Sequence, residues 1–299
     1  MFGKILFPTD LSTYANAVLG CVVDLKGAGV REVVLLHVVH QDEVISGSTV
    51  DLDRLERLKA EARARLEETG RSIAATGVAV KARVEVGMPA REIVKVAEEE
   101  DVSLIAMGSH GRGVLQGFLL GSVSERVLHA SRRPVWVERF RVVEENGGLK
   151  ECHRWCAHPF EKVLCPTDWS DPATYALEYA KQLRFAGARE VVLLHVQEPV
   201  IMQQRGGEQL AEFDRRDRER LERAGRTFEE LGFKTTLRLE HGAPLTRILE
   251  VAEEEDVCSI IMGSHGRSMV AEMVLGSVAE NVVRRSRRPT LVVRRGMLT

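Results

Sequence analysis

The two halves of this chain carry the same ordered series of motifs, and that duplication limits the fold more than any other feature. Phe7-Pro8-Thr9-Asp10 returns as Cys165-Pro166-Thr167-Asp168, and Val33-Val34-Leu35-Leu36-His37-Val38 returns as Val191-Val192-Leu193-Leu194-His195-Val196. Further on, Glu98-Glu99-Glu100-Asp101 answers to Glu253-Glu254-Glu255-Asp256, and Arg133-Pro134 to Arg288-Pro289. The period is about 155 residues, the size of a domain and far beyond the repeat of a solenoid. We therefore expect one domain at 1–139, a linker at 140–159 and a second domain at 160–299.

Each half alternates short apolar runs with stretches of helical period. In the first half, strands are expected at 4–8, 32–39, 78–86, 104–107 and 134–139, and helices at 12–25, 51–76, 90–100 and 122–130. The unbroken Val/Leu run at 32–39 suits a parallel strand buried on both faces. Alternating strands and helices mean a parallel sheet covered on both sides. The expected fold is α/β: two tandem open five-stranded parallel sheets, Rossmann-like, with strand order 3-2-1-4-5. Such sheets bind ligands beyond the carboxyl ends of their strands, where the order reverses.

A glycine loop falls at that place in each half. Gly108-Ser109-His110-Gly111-Arg112, nine residues, then Gly121-Ser122 recurs as Gly263-Ser264-His265-Gly266-Arg267, nine residues, then Gly276-Ser277. Glycines leaving a strand let backbone turn sharply and approach a ligand closely. Gly-Ser opening a helix presents unpaired N–H groups and a positive dipole end, which suit a phosphate. The spacing is neither a Walker A loop nor the dinucleotide fingerprint.

Taken together, Pro-Thr-Asp, Leu-Leu-His-Val and Gly-x2-Gly-x9-Gly-Ser, in order and twice over, resemble the universal stress protein family. More narrowly, the chain resembles that family's ATP-binding branch in a tandem two-domain form. The resemblance implies two ATP molecules per chain, with Mg2+. Val38 and Val196 would meet the adenine edge through backbone groups, and Pro8 and Pro166 would wall the base. Thr9 and Thr167 accompany Asp10 and Asp168, which would contact the ribose or a divalent ion. Gly108, Gly111, Gly121 and Ser122 would surround the phosphates in one half, His110 and Arg112 would add polar contacts, and Met107 and Val123 flank them in the cofactor site. Their counterparts are Met262, Gly263, His265, Gly266, Arg267, Gly276, Ser277 and Val278. A plainer reading of Asp10 and Asp168 makes them caps of the following helices, and His37 and His195 read as satisfied core residues.

Composition narrows the alternatives. A net charge of −2 leaves no positive excess to displace counterions from nucleic acid, and 5% aromatic content argues against a base-stacking groove. No apolar run approaches the ~20 residues of a membrane span. The five cysteines are odd in number and scattered, which reads as reduced thiols in a cytoplasmic protein. No serine–histidine–acid or cysteine–histidine set is spaced for catalysis, so no catalytic residue is assigned and at most weak ATPase activity is expected. The function expected is a nucleotide-dependent stress sensor or regulator working through an unidentified protein partner. The alternatives are a slow ATP hydrolase or phosphotransferase, or a structural module without nucleotide.

Three features stand apart. Cys152, His153, Cys156 and His158 gather four zinc-ligand types in the linker, although their spacing matches no common finger. The run Arg215-Arg216-Asp217-Arg218-Glu219-Arg220 reads as a solvated helix face. The last strand of each half is an apolar edge that invites pairing, so the domains are expected to pair internally, with a homodimer open to the same chain.

Overall fold

The computed structural model describes every residue except 1, 13–14, 16–17, 21–24, 47–48, 110–119, 140, 146–147, 154–155, 157, 199–206, 267–274 and 295–299. It divides into two compact units, Met1–Glu138 and Arg139–Thr299.

In the first unit, β1 (Lys4–Pro8), β2 (Glu32–His40), β5 (Ala79–Gly87), β6 (Leu104–Gly108) and β7 (Val135–Glu138) form a wholly parallel sheet. Its order is β5-β2-β1-β6-β7. The short strands β3 (Ile45–Ser46) and β4 (Thr49–Val50) pair antiparallel outside that sheet. Helices Leu52–Ala74, Pro89–Glu99 and Ser122–Ala130 connect the strands. The second unit opens with an antiparallel pair, β8 (Arg141–Glu145) and β9 (Gly148–His153), in the segment expected to be a plain linker. Its main sheet is again parallel: β10 (Lys162–Thr167), β11 (Glu190–Gln197), β12 (Lys234–His241), β13 (Ser259–Gly263) and β14 (Thr290–Val293). The order is β12-β11-β10-β13-β14, with helices Asp171–Gln182, Gly207–Glu229, Pro244–Glu254 and Ser277–Arg285. In both units the central strand hands over to neighbours on opposite sides, so a crevice opens at its carboxyl end.

Local chemistry sets these boundaries. Asp51 caps Leu52–Ala74 by accepting the Arg54 N–H, and Ser170 caps Asp171–Gln182 by accepting the Ala173 N–H. Pro89 and Pro244 stand at the first helical position, where a missing N–H costs nothing. Buried Ala62, Leu66, Gly70 and Ile73 give the long helix one stripe facing β2 and β5. Ile5, Leu6, Phe7 and Val33–Leu36 fill the sheet centre and are fully buried or nearly so.

The repeated Glu-Glu-Glu-Asp motif is structural. Asp101 and Asp256 take the left-handed conformation (φ 48° and 47°) that ends a helix, which a short polar side chain tolerates. Glu100 bonds Lys4 at 2.7 Å, Lys81 at 2.8 Å and Arg83 at 2.9 Å. Glu255 meets Arg238 at 2.9 Å and Lys162 at 3.3 Å. No described helix is long and apolar enough to cross a membrane.

Two expectations about cysteine are corrected. Cys156 forms a disulfide with Cys258, immediately before β13, across a sequence separation of 102. The chain is therefore not all thiol, and the sulfur of Cys156 is not available as a zinc ligand. His158 is exposed; Cys152 and His153 lie on β9. Without Cys156 the linker set does not fit a four-ligand zinc site.

Candidate functional site

At the end of β10, Thr167 Oγ1 accepts the Trp169 N–H at 3.1 Å, and Asp168 Oδ1 accepts the Ser170 N–H at 3.0 Å. The end of β1 repeats this: Thr9 Oγ1 accepts from Leu11 and Asp10 Oδ1 from Ser12, both at 3.0 Å. Between them the chain turns through a left-handed residue, Leu11 (φ 62°) or Trp169 (φ 63°). Neither is a residue that adopts this conformation cheaply, and such backbone is found where a site constrains it. Each aspartate thus has one oxygen in the turn, while a serine caps the helix. The capping hydroxyls are those of Ser12, which accepts the Ala15 N–H at 3.2 Å, and Ser170, so the aspartates shape the turn and do not cap the helix.

His195 Nδ1 lies 2.7 Å from the Thr167 carbonyl, and His37 Nδ1 lies 2.9 Å from that of Thr9. A carbonyl only accepts, so Nδ1 carries the proton in both rings. These imidazoles tie the ends of neighbouring strands together. Beside them, Val38 and Val196 are half-buried at the carboxyl ends of β2 and β11.

The glycine loop leaves the next strand. Ser264 N–H donates to the Val293 carbonyl at 3.0 Å, and Gly276 N–H returns to the Ser264 carbonyl at 2.7 Å, closing the base of the loop. In the first unit Ser109 and Gly121 make the same two bonds, to Glu138 and Ser109, at 3.2 and 2.8 Å. Helices Ser122–Ala130 and Ser277–Arg285 begin at Gly121 and Gly276 with no side chain capping them. Their first N–H groups and positive dipole end therefore point into the crevice, a setting for an anion. Ser264 Oγ and His265 Nδ1 are 2.9 Å apart.

The glycines here are close-fitting. A Cβ on Gly263 would lie 2.6 Å from the Pro172 carbonyl oxygen, and one on Gly276 would lie 3.0 Å from His265 Cα. A Cβ on Gly266 would lie 2.6 Å from Asp168 Oδ2, so the loop passes directly over that carboxylate.

In the second unit these parts enclose a cavity of about 480 Å3, well within the range of small-ligand sites. Its walls bring together Pro166, Thr167, Asp168, Val196, Met262, Gly263, His265, Gly266, Gly276, Ser277 and Val278. Arg267 lies outside the described residues, as do His110, Gly111 and Arg112 of the first unit. There, Pro8, Thr9, Asp10, Val38, Met107, Gly108, Gly121, Ser122 and Val123 hold the matching positions at the ends of β1, β2 and β6 and the start of the following helix.

A model of the universal stress protein family matches residues 1–139 and again 159–294. The chain belongs to that family. It is a tandem universal stress protein, and a protein of the same family from Archaeoglobus fulgidus has a similar crystal structure. That structure superposes with a TM-score of 0.73 at 33% identity, covering 99% of this chain and 97% of the other. The universal stress protein MJ0577 of Methanocaldococcus jannaschii is 37% identical over 153 residues, 94% of its own length and 46% of this chain. One from Methanothermobacter thermautotrophicus is 35% identical over 133 residues, 90% of its length and 43% of this chain. Relatives of that size correspond to one repeat.

The cavity of this tandem universal stress protein also has a wall that sequence reasoning assigned to solvent. Phe213, Arg216, Asp217 and Arg220 reach it from helix Gly207–Glu229, as does Gln197 from β11. Arg215, one step around the same helix, is exposed and paired with Glu212 and Glu219. Only part of the charged run is therefore a solvated face. The missed signal was helical spacing: 213, 216–217 and 220 share one face.

Proposed function

We propose that each half binds an adenine nucleotide, ATP with Mg2+, and that occupancy alters a surface read by a protein partner in a stress response. The observation that carries this reading is the uncapped helix start at Gly276, set behind close-fitting glycines at the end of a ligand-sized cavity. An anion is the natural occupant of that end, and the flanking apolar and hydrogen-bonding wall suits a nucleoside. The resemblance to the ATP-binding branch supplies adenine and the triphosphate. Asp168 is the protein carboxylate beside the loop; one carboxylate plus phosphate oxygens is the way Mg2+ is usually held. Asp10 would do the same in the first half.

Mass analysis of nucleotide released from purified protein tests the ligand, and calorimetry tests the count. Two ATP sites are expected in the parent, one after Gly121→Val or Gly276→Val, and none in the double variant. A valine at 276 drives a branched side chain into the His265 backbone. Parent-like ATP binding by the double variant would overturn the reading. Steady-state phosphate release at a rate above that of the double variant would favour the hydrolase alternative.

A further inference from the structure

The cavity of the second unit has a polar wall at positions that are apolar in the first half. Gln197 Nε2 donates to Asp217 Oδ2 at 2.9 Å, and His195 Nε2 lies 3.3 Å from the same oxygen. Gln197 is 8% exposed and the Asp217 side chain 13%. The repeat aligns Leu66 with Leu221 and Gly70 with Gly225, which places Ala62 at the position of Asp217. Val39 stands where the second half has Gln197. Ala62 and Val39 are buried apolar residues.

A carboxylate that lines a ligand cavity gives up water when the cavity fills, and then needs partners for both oxygens. Gln197 donates to Oδ2, with His195 packed beside it, and among the described residues none donates to Oδ1. Asp217 lines the cavity, so a bound ligand can supply that donor. It cannot come from a phosphate, which a carboxylate repels. The anion end of the cavity is elsewhere: the glycine loop follows β13, whereas Gln197 ends β11, and β10 lies between them. Two strand spacings separate these ends by about 10 Å, a span that puts the nucleoside at Asp217 when phosphate is at Gly276.

We propose that Asp217, held in place by Gln197, determines specificity in the second site by requiring a neutral hydrogen-bond donor on the nucleoside. The inference rests on the nucleotide reading above. The donor is a ribose hydroxyl or an exocyclic amino group, the same chemistry to a carboxylate. The first site, with Ala62 and Val39, makes no such demand. The two halves of the chain therefore discriminate among nucleotides differently.

The test uses the full chain carrying Gly121→Val, so that calorimetry reads the second site. The probes are ATP, 2′-deoxy-ATP, 3′-deoxy-ATP and inosine triphosphate. At least one analogue is expected to bind about ten-fold or more weakly than ATP, the effect of one hydrogen bond to a charged group. A deoxy analogue identifies the ribose and inosine triphosphate the amino group. Asp217→Ala should weaken ATP by a similar factor and erase the discrimination, while Asp217→Asn, which keeps an acceptor oxygen, should restore part of both. Equal binding of all four probes before mutation would overturn the proposal. So would discrimination that persists in both Asp217 variants, since a merely structural aspartate would lower all affinities together. Failure of ATP to bind the chain before any Asp217 change is a different result, and would overturn the nucleotide reading itself.

Discussion

Asp168 and Gly266 are locked together: one carboxylate oxygen is fixed by the Ser170 N–H at 3.0 Å, and the other lies 2.6 Å from where a Cβ on Gly266 would stand. The aspartate cannot swing away without breaking the turn that starts the next helix. Gly266→Ala should therefore displace the loop and not the carboxylate. The expected outcome is a roughly ten-fold or greater loss of ATP affinity at the second site, by calorimetry, the effect of losing one hydrogen bond to a charged phosphate, with little change in unfolding midpoint. Unchanged affinity would show that the loop does not need to lie this close.

Gly263 makes the opposite prediction. Its nearest neighbours are backbone, with the Pro172 carbonyl oxygen 2.6 Å and the Ala173 nitrogen 3.0 Å from an added Cβ. Helix Asp171–Gln182 must back away from β13 to accept even a methyl group. Gly263→Ala should destabilise the second unit by roughly 1–3 kcal/mol, read by urea denaturation whether or not nucleotide is present.

Acid should unfold the first unit partly through Glu100. Hydrogen bonds from Lys4, then Lys81 and Arg83, hold its carboxyl at about 2, below the usual 4.5. Because the folded value is the lower one, the stabilisation is fully present above pH 4.5 and is lost as pH falls toward 2. The side chain is only 8% exposed, so the loss is expected to be up to about 3 kcal/mol. Denaturation of Glu100→Gln at a series of pH values should show a flatter dependence across that window. A parent-like slope would assign the acid sensitivity to other carboxylates.

The Cys156–Cys258 disulfide closes a loop of sequence separation 102. Its removal by reductant or by Cys258→Ser should lower the stability of the second unit by roughly 2–4 kcal/mol, mostly by freeing the unfolded chain. Thiol titration under denaturing conditions should find two more reactive groups after reduction. An identical count before and after would mean that the bond does not form. Cys165 is buried and its thiol is pushed well above its ordinary pKa by desolvation, so it should stay unreactive in the folded protein.

Much of the site was legible because it is built from local, repeated signals. The ends of β1 and β10 lie at Pro-Thr-Asp, the glycine loop leaves β6 and β13, and Ser122 and Ser277 open helices, all as spacing indicated. Each of these depends on backbone conformation within a few residues, so duplication doubled a signal already present in either half. The helix Leu52–Ala74 falls within the expected 51–76 for the same reason. Strand order needed more than local pattern, but right-handed crossovers around a parallel sheet leave few arrangements to choose from.

What the sequence by itself determined, then, is the duplicated α/β fold and the strand-end loops that frame each crevice, because periodicity, turns and caps act over short stretches of chain. Tertiary structure alone decided which side chains meet across those stretches. Cys156 finds Cys258 and Asp217 finds Gln197 and His195 through the packing of elements distant in sequence. On helix Gly207–Glu229 the difference between Arg215 in solvent and Asp217 in the cavity wall is two residues. At 3.6 residues per turn, two residues carry a side chain to nearly the opposite face of a helix. The charged run therefore looked uniform in sequence, and only the docking of that helix against β11 and β12 separated its binding face from its solvated one.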